Sequence, residues 1–297
     1  MAEAASHASA SKESFAGKES GSPWVGQSIP RVEDLALLTG RGRFIDDLGV
    51  RPGTLYAAML RSPHAHADIV SIDLSAAKQA PGVVAVLHGE DIKALTSSLV
   101  VGVKAPVECW PIAIGRVRYV GEPVAMVVAT DRYLAEDAVD LIDVRYEARP
   151  AVVDPLAALS PGAPVLHDGF PGNVASDRTF RYGDPEQAFA KAAHRISIDV
   201  RYPRNSCTPI ETYGVVAEYD PGEDAYDVLA NFQGPFSIHA VLSRALKVPG
   251  NRLRLRTPPD SGGSFGVKQG VFPYIVLIAA AARAELAAIA AEARTPD

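Results

Sequence analysis

A glycine-rich loop late in the chain constrains its fold and function more than any other stretch. This glycine loop reads Ser-Gly-Gly-Ser-Phe-Gly-Val-Lys over residues 261–268. Glycine reaches positive φ without strain and leaves backbone N–H groups uncovered, so the loop can fold closely around an anionic or oxo group. It lies between a predicted strand, Leu253 to Thr257, and a predicted helix, Val271 to Ala282. The sequence therefore predicts a ligand-binding turn, to which the helix amino end adds a favourable dipole.

A second polar turn follows another predicted strand, Tyr226 to Ala230, and reads Asn-Phe-Gln-Gly-Pro over residues 231–235. Together the two turns resemble the large subunit of the molybdenum hydroxylases, the family of xanthine dehydrogenase, aldehyde oxidase and carbon monoxide dehydrogenase. In that family a Gln after a strand and a G-G-G-F-G loop flank the molybdenum. The resemblance implies cofactor binding by Gln233, Gly263, Phe265 and Gly266.

The first half of the chain also resembles this family. R-V-E-D at 31–34, L-T-G at 38–40, D-D at 46–47 and R-S-P-H-A-H-A at 61–67 are similar to the opening series of its large subunits. Strands and short helices alternate after this block, which predicts small helices packed on a sheet. The fold class is therefore α+β. The resemblance identifies an α/β-hammerhead domain followed by a truncated molybdopterin-binding α+β domain.

The predicted organisation follows composition and this resemblance. The first residues lack a continuous apolar core and are expected to form a disordered tail, and residues 150–164 carry prolines typical of a linker. The predicted segments are a tail at 1–25, an entry segment with the hammerhead domain at 26–149, the linker at 150–164, the first part of the molybdopterin-binding domain at 165–283, and a helix-prone tail at 284–297.

Within the second domain, Asp184 is predicted to cap a helix from Pro185 to Ala193, and a strand is predicted from Arg195 to Tyr202. A further helix, Pro235 to Leu246, connects the strands that precede the two polar turns. We expect those two strands to be neighbours in one sheet, because open α/β layers place ligands at adjacent strand ends.

Charge and cysteine content limit the partners. A formal charge of -6 and the absence of a basic stripe argue against nucleic acid as the main partner. Two cysteines cannot supply the four thiolates of an iron–sulfur cluster, and they suit a reducing, cytoplasmic location. The apolar run 271–282 is too short to span a bilayer, so no membrane insertion is expected.

Other residues with metal-binding or catalytic chemistry carry weaker signals. His64 and His66 could ligate a metal from one strand face, but without a third ligand nearby a loop or interface role is favoured. Glu211 could be a general base and Cys207 a nucleophile or metal ligand. Neither has a visible partner in the sequence, and the family has a comparable segment that shapes the domain, so a structural role for Glu211 is favoured. No metal ligand and no catalytic residue is assigned within this chain.

The resemblance also implies cofactors and partners. It implies a molybdenum–pterin cofactor in a dinucleotide form, with FAD and 2Fe-2S centres on partner subunits. The reaction that the resemblance implies is hydroxylation of an aldehyde, an N-heterocycle or CO with water as the oxygen source. In the family the general base is a Glu near the far end of a longer subunit. The chain is therefore expected to need an FAD-binding subunit, a 2Fe-2S subunit, and the remainder of the large subunit or a second large subunit.

Two alternatives remain open. The chain could be a catalytically inactive, truncated remnant that serves as an interaction or assembly module, or an unrelated phosphate-binding α/β protein. The glycine loop also departs from the family pattern, because Ser264 replaces the third glycine. Gln269 stands where purine-oxidising members have a Glu, which argues against a purine substrate.

Overall fold

A computed structural model describes residues 24–100, 107–203 and 207–292. The predicted tail at 1–25 lies outside these residues except for its last two positions, as do the final residues of the tail at 284–297. The chain divides into two compact units, Met1–Gly42 and Arg43–Asp297. Within residues 24–42 of the first unit the structure has the short helix α1 (Asp34–Leu38), and the guanidinium of Arg31, which precedes this helix, pairs with the Asp34 carboxylate at 2.7 Å.

The second unit begins with two antiparallel sheets, in the strand orders β1-β5-β3 and β4-β2-β6. All side chains of β5 are buried, because this apolar strand lies in the centre of its sheet with helices packed against it. Helix α3 was not predicted; it is capped where the Asp91 carboxylate accepts from His88 N at 2.9 Å. The elements are β1 (Tyr56–Arg61), β2 (Ala67–Asp73), α2 (Ser75–Lys78), β3 (Val83–His88), α3 (Gly89–Leu95), β4 (Arg116–Val117), β5 (Pro123–Ala129), α4 (Arg132–Val139) and β6 (Asp143–Ala148).

A third sheet, in the order β7-β8-β9, follows in the second half. Strands β8 and β9 are parallel neighbours joined by helix α6, which confirms the expected adjacency. Parallel strands end at the same edge, so the two polar turns emerge on one side of the sheet. The elements are α5 (Pro185–Lys191), β7 (Val215–Asp220), β8 (Ala225–Ala230), α6 (Pro235–Ala245), β9 (Leu253–Arg256), α7 (Val267–Gly270) and α8 (Pro273–Glu292).

Helix α8 packs against both halves of the second unit. Ile275 and Ala279 belong to the core of the third sheet, which includes Leu242 of α6, whereas Leu277 lies in a core with Met126 of β5. The central part of α8 is buried between these two cores, which explains why it is apolar on more than one face. No helix in the described ranges combines the length and hydropathy needed to cross a membrane.

The carboxyl-terminal helix differs from the predicted range of Val271 to Ala282. The structure has α7, which includes the last two residues of the glycine loop, then a break, and then α8, which continues to Glu292. Pro273 explains the break, because proline cannot donate the i→i−4 hydrogen bond and is favoured in the first turn of a new helix.

The predicted strand from Arg195 to Tyr202 is wrong. This segment is irregular in the structure, and its alternate apolar side chains Ile196, Ile198, Val200 and Tyr202 are 91%, 79%, 77% and 84% exposed. The alternation is typical of a strand, but a strand also needs a hydrogen-bonding partner. No segment within the described ranges pairs with residues 195–202. The predicted cap of α5 is confirmed, since the Asp184 carboxylate accepts from Gln187 N at 3.0 Å.

Replacing Leu242 with Ala should destabilise the protein by about 2 to 5 kcal/mol, because the side chain is fully buried and its removal leaves a cavity. Leu141 is 47% exposed, so Leu141→Ala is a matched control that should cost about 1 kcal/mol or less. Urea denaturation followed by circular dichroism measures both changes. Equal losses for the two variants would contradict the assignment of α6 to the core.

Candidate functional site

The ends of β8 and β9 bring the two polar turns together. After β8, Asn231 and Phe232 are buried, whereas Gln233 is exposed. The Oε1 atom of Gln233 accepts from Gly266 N at 3.0 Å and from the Ser264 hydroxyl at 2.6 Å. The two segments that the sequence analysis singled out therefore lie in direct contact at one edge of the third sheet.

The glycines of the loop are required for different physical reasons. Gly263 and Gly266 have φ of +101° and +89°, a region that side chains with a Cβ rarely adopt. At Gly262 a Cβ would lie 2.3 Å from Glu211 Cβ, so that position requires glycine for close approach. Phe265 also has positive φ, at 49°, and its side chain is 71% exposed. This backbone conformation is strained for a bulky residue and turns the Phe265 ring outward.

A buried ion pair between Lys268 and Glu211 anchors the glycine loop. The Lys268 side chain is 1% exposed, and its Nζ lies 2.6 Å from Glu211 Oε2. The same carboxylate accepts from Gly262 N at 2.9 Å, and its other oxygen accepts from Ile45 N at 3.3 Å. Burial acts to raise the pKa of Glu211, but these hydrogen bonds outweigh it, so the pKa lies below its ordinary value of 4.5.

Asn231 links this ion pair to the sheet. Its side chain donates to Thr212 O at 2.7 Å and accepts from Gly214 N at 2.8 Å. These bonds fix the segment that carries Glu211 against the end of β8. Glu211 is thus held on several sides, and the structural role favoured from the sequence agrees with these contacts. Sequence reasoning missed the contacts of Lys268 and Asn231, because nothing in a single sequence shows that the Lys at the end of the glycine loop is buried.

The remaining candidates lie in other surroundings. His66 Nδ1 lies 2.8 Å from Pro150 O, and the His64 ring packs 4.9 Å from the Tyr146 ring. Across the described ranges, no three or more His, Cys, Asp or Glu side chains group in a way that could hold a metal ion. Cys207 is a free, exposed thiol.

Comparison with protein families identifies two known domains in the chain. Residues 39–150 match the "Aldehyde oxidase and xanthine dehydrogenase, a/b hammerhead domain" family. Residues 166–289 match the "Molybdopterin cofactor-binding domain" family, which includes both polar turns. The predicted fold class, a hammerhead domain followed by a molybdopterin-binding domain, is confirmed.

Similar proteins are subunits of oxidoreductase complexes. The chain is 40% identical to the 6-hydroxypseudooxynicotine dehydrogenase complex subunit gamma of Paenarthrobacter nicotinovorans, over 88% of this chain and 33% of that relative. It is 35% identical to the carbon monoxide dehydrogenase large chain of Hydrogenophaga pseudoflava, over 84% of this chain and 32% of that relative. The crystal structure of quinoline 2-oxidoreductase from Pseudomonas putida 86 superposes with a TM-score of 0.75 at 38% identity, covering 87% of this chain and 33% of that one. The chain thus spans about a third of the length of the relatives it matches.

Removing the charge of Glu211 and removing that of Lys268 should destabilise the protein by unequal amounts. Glu211→Gln leaves the Lys268 ammonium buried without a counter-charge and should destabilise the protein by about 3 to 5 kcal/mol. Lys268→Met should cost less, because Glu211 keeps two backbone donors. The double variant Glu211→Gln, Lys268→Met should recover part of the loss. Denaturant unfolding of all four proteins measures this, and strictly additive losses would refute direct coupling.

The contribution of Glu211 to stability should depend on pH. Its folded-state pKa is lowered, so the unfolded chain binds this proton more readily, and ionised Glu211 stabilises the fold above its unfolded pKa near 4.5. That contribution is lost as pH falls through the lower folded-state pKa. The difference in unfolding free energy between wild type and Glu211→Gln should therefore narrow below about pH 4.5. A constant difference between pH 7 and pH 3 would contradict the ionised pair.

Proposed function

Because the chain belongs to the aldehyde oxidase and xanthine dehydrogenase family of molybdenum hydroxylases, we propose that it is the part of a large subunit that binds the molybdenum–pterin cofactor through Gln233, Gly263, Phe265 and Gly266. One observation carries the proposal: Gln233 and Gly266, which come from separate polar turns, are in hydrogen-bond contact. A site assembled from two strand ends offers a ligand several groups at fixed separation.

The residues at this site fit the oxygen atoms of such a cofactor. Among the described residues, the Gln233 side-chain amide nitrogen and the backbone N–H groups of Gly263 and Phe265 make no hydrogen bond. These groups donate hydrogen bonds, and oxo and pterin oxygens accept them. In this proposal the Gln233 amide would donate to an oxo group of the cofactor, and the N–H groups of Gly263 and Phe265 would donate to oxo or pterin oxygens. Gly266 would contribute by holding the Gln233 amide, because its own N–H donates to Gln233 Oε1.

When bound, the cofactor supplies the two-electron oxidation that hydroxylates an aldehyde, an N-heterocycle or CO with oxygen from water. The residues of this chain orient and enclose it. Phe265, with its exposed ring, forms part of the wall against which substrate packs. Gln269 presents a neutral amide and donates to the Ser237 hydroxyl at 3.4 Å, which supports a substrate other than a purine.

Glu211 is not the general base in this proposal. Its carboxylate is paired with Lys268, and its lowered pKa makes it a poor proton acceptor near neutral pH. The base is instead supplied by the remainder of the large subunit or by a second large subunit. We expect the isolated chain to lack turnover for this reason.

The proposal includes the wider assembly. The names of two relatives, a complex subunit gamma and a large chain, describe components of larger complexes. We propose an FAD-binding subunit and a 2Fe-2S subunit as partners, a dinucleotide form of the cofactor, and a cytoplasmic location. Iron–sulfur centres would have to lie on such partners, since the two cysteines of this chain cannot supply the four thiolates of a cluster.

A second candidate function is an inactive remnant that serves as an interaction or assembly module. Its support is that Glu211, the carboxylate beside the glycine loop, is already paired with Lys268 and is not available as a general base. The nucleotide sequence beyond codon 297 separates the two candidates. A continuing or adjacent frame that encodes the rest of a large subunit supports the enzyme, and its absence supports the module.

Purification of the chain together with its native partners should yield molybdenum and a nucleotide released on acid treatment of the cofactor. Gln233→Leu should lower molybdenum content at least about tenfold, because a hydrogen bond to a charged group is lost. Gln187→Leu on helix α5 changes an exposed residue in the same way and should leave molybdenum content unchanged. Elemental analysis measures both. A wild-type complex without molybdenum, or a full load in Gln233→Leu, would overturn the proposal.

A further inference from the structure

We infer that Ser264 is a positioning residue that fixes the Gln233 amide so that only its N–H donors face a ligand. The inference rests on the proposed function in one respect, namely that the ligand is an oxygen of the cofactor. Its structural part concerns the orientation of the amide and stands on contacts within the chain. Ser264 occupies the position at which the sequence departs from the G-G-G-F-G pattern of the family.

Hydrogen-bond partners decide which way the amide points. The oxygen and nitrogen of a Gln side chain have similar shapes, so orientation has to follow from the groups around them. The Gly266 backbone N–H can only donate, and it lies 3.0 Å from Gln233. The atom that faces it must therefore be the oxygen, Oε1. The amide nitrogen then points away from the glycine loop.

The Ser264 hydroxyl completes this arrangement. Its Oγ lies 2.6 Å from Gln233 Oε1, and it donates because Oε1 is an acceptor. An amide oxygen has two lone pairs, and the two donors together use both. Oε1 thus has no acceptor capacity left for a ligand. The outward face of the amide carries two N–H donors, which suits a ligand atom that only accepts.

The backbone explains why a serine is tolerated here. Gly263 and Gly266 have positive φ, whereas Ser264 does not. A Cβ at position 264 therefore introduces no strain of this kind, and its hydroxyl adds a second anchor for Oε1. With glycine or alanine at this position, one hydrogen bond from Gly266 would remain, and the amide could rotate about its terminal torsion, which is soft.

A purely structural role for Ser264 would affect stability but not the polarity presented to a ligand. Gln233→Glu separates anchoring of the glycine loop from donation of hydrogen bonds to a ligand. One carboxylate oxygen can accept both internal hydrogen bonds, and bonds to a charged acceptor are stronger, so the loop stays anchored. The outward atom, however, becomes an oxygen that accepts hydrogen bonds and repels an oxo group. Stability should be kept while ligand binding is lost.

The orientation itself is tested on the full chain without cofactor. Nitrogen-15 relaxation of the Gln233 side-chain amide, assigned by its loss in Gln233→Leu, should give in wild type an order parameter close to that of rigid backbone, about 0.85. In Ser264→Ala and Ser264→Gly it should fall below about 0.6, and in Ser264→Thr, which keeps the hydroxyl, it should stay high. An equally rigid amide in Ser264→Ala would overturn the inference.

The consequence for the ligand is tested in the complex with native partners. Gln233→Glu should unfold at the same temperature as wild type or higher, yet retain at least tenfold less molybdenum. Ser264→Ala should lose molybdenum several-fold, and Ser264→Thr should restore it. Undiminished molybdenum in Gln233→Glu would overturn the inferred donor role. A wild-type complex without molybdenum, with the predicted order parameters, would overturn the proposed function and leave the amide orientation supported.

Discussion

The ion pair between Glu211 and Lys268 is the interaction on which the geometry of the site depends. It joins the segment before β7 to α7 at the end of the glycine loop, and Gly262 N donates to the same carboxylate. Removing a carboxylate and an ammonium from water offsets much of their attraction, so such a pair adds little net stability. We interpret its role as positional: a buried charge has few acceptable partners, which leaves the loop one low-energy arrangement.

The third sheet and α8 provide the support that this arrangement needs. Parallel pairing of β8 with β9 sets the separation of the two polar turns. Helix α8 follows the glycine loop almost directly and is buried in both cores of the second unit. Movement of the loop would therefore disturb packing on both sides. Side chains at a site supported in this way hold their positions before a ligand arrives, which lowers the entropic cost of binding.

The sequence predicted the parts of the fold that depend on local pattern. Period-2 runs such as β8, and the Asp184-Pro185 start of α5, have causes within a few residues. Long-range pairs such as Glu211 with Lys268 had no local signal, because 57 positions separate them. The Arg195 to Tyr202 prediction was wrong for the converse reason: its pattern is local, but the existence of a strand depends on a partner. The position of Gln233 beside the loop was inferred from the resemblance and from the expected pairing of two strands.

The irregular segment at 195–202 has a consequence for handling the protein in solution. It presents a row of apolar side chains beside backbone N–H and C=O groups that no described segment pairs with. An open edge of this kind can template extended segments of other molecules, which is the usual start of ordered aggregation. Arg195 precedes the row, whereas Asp199 and Arg201 alternate with its apolar side chains, and such charges oppose stacking of like chains. We therefore expect self-association at high protein concentration to depend on these exposed residues and on salt, which screens their repulsion.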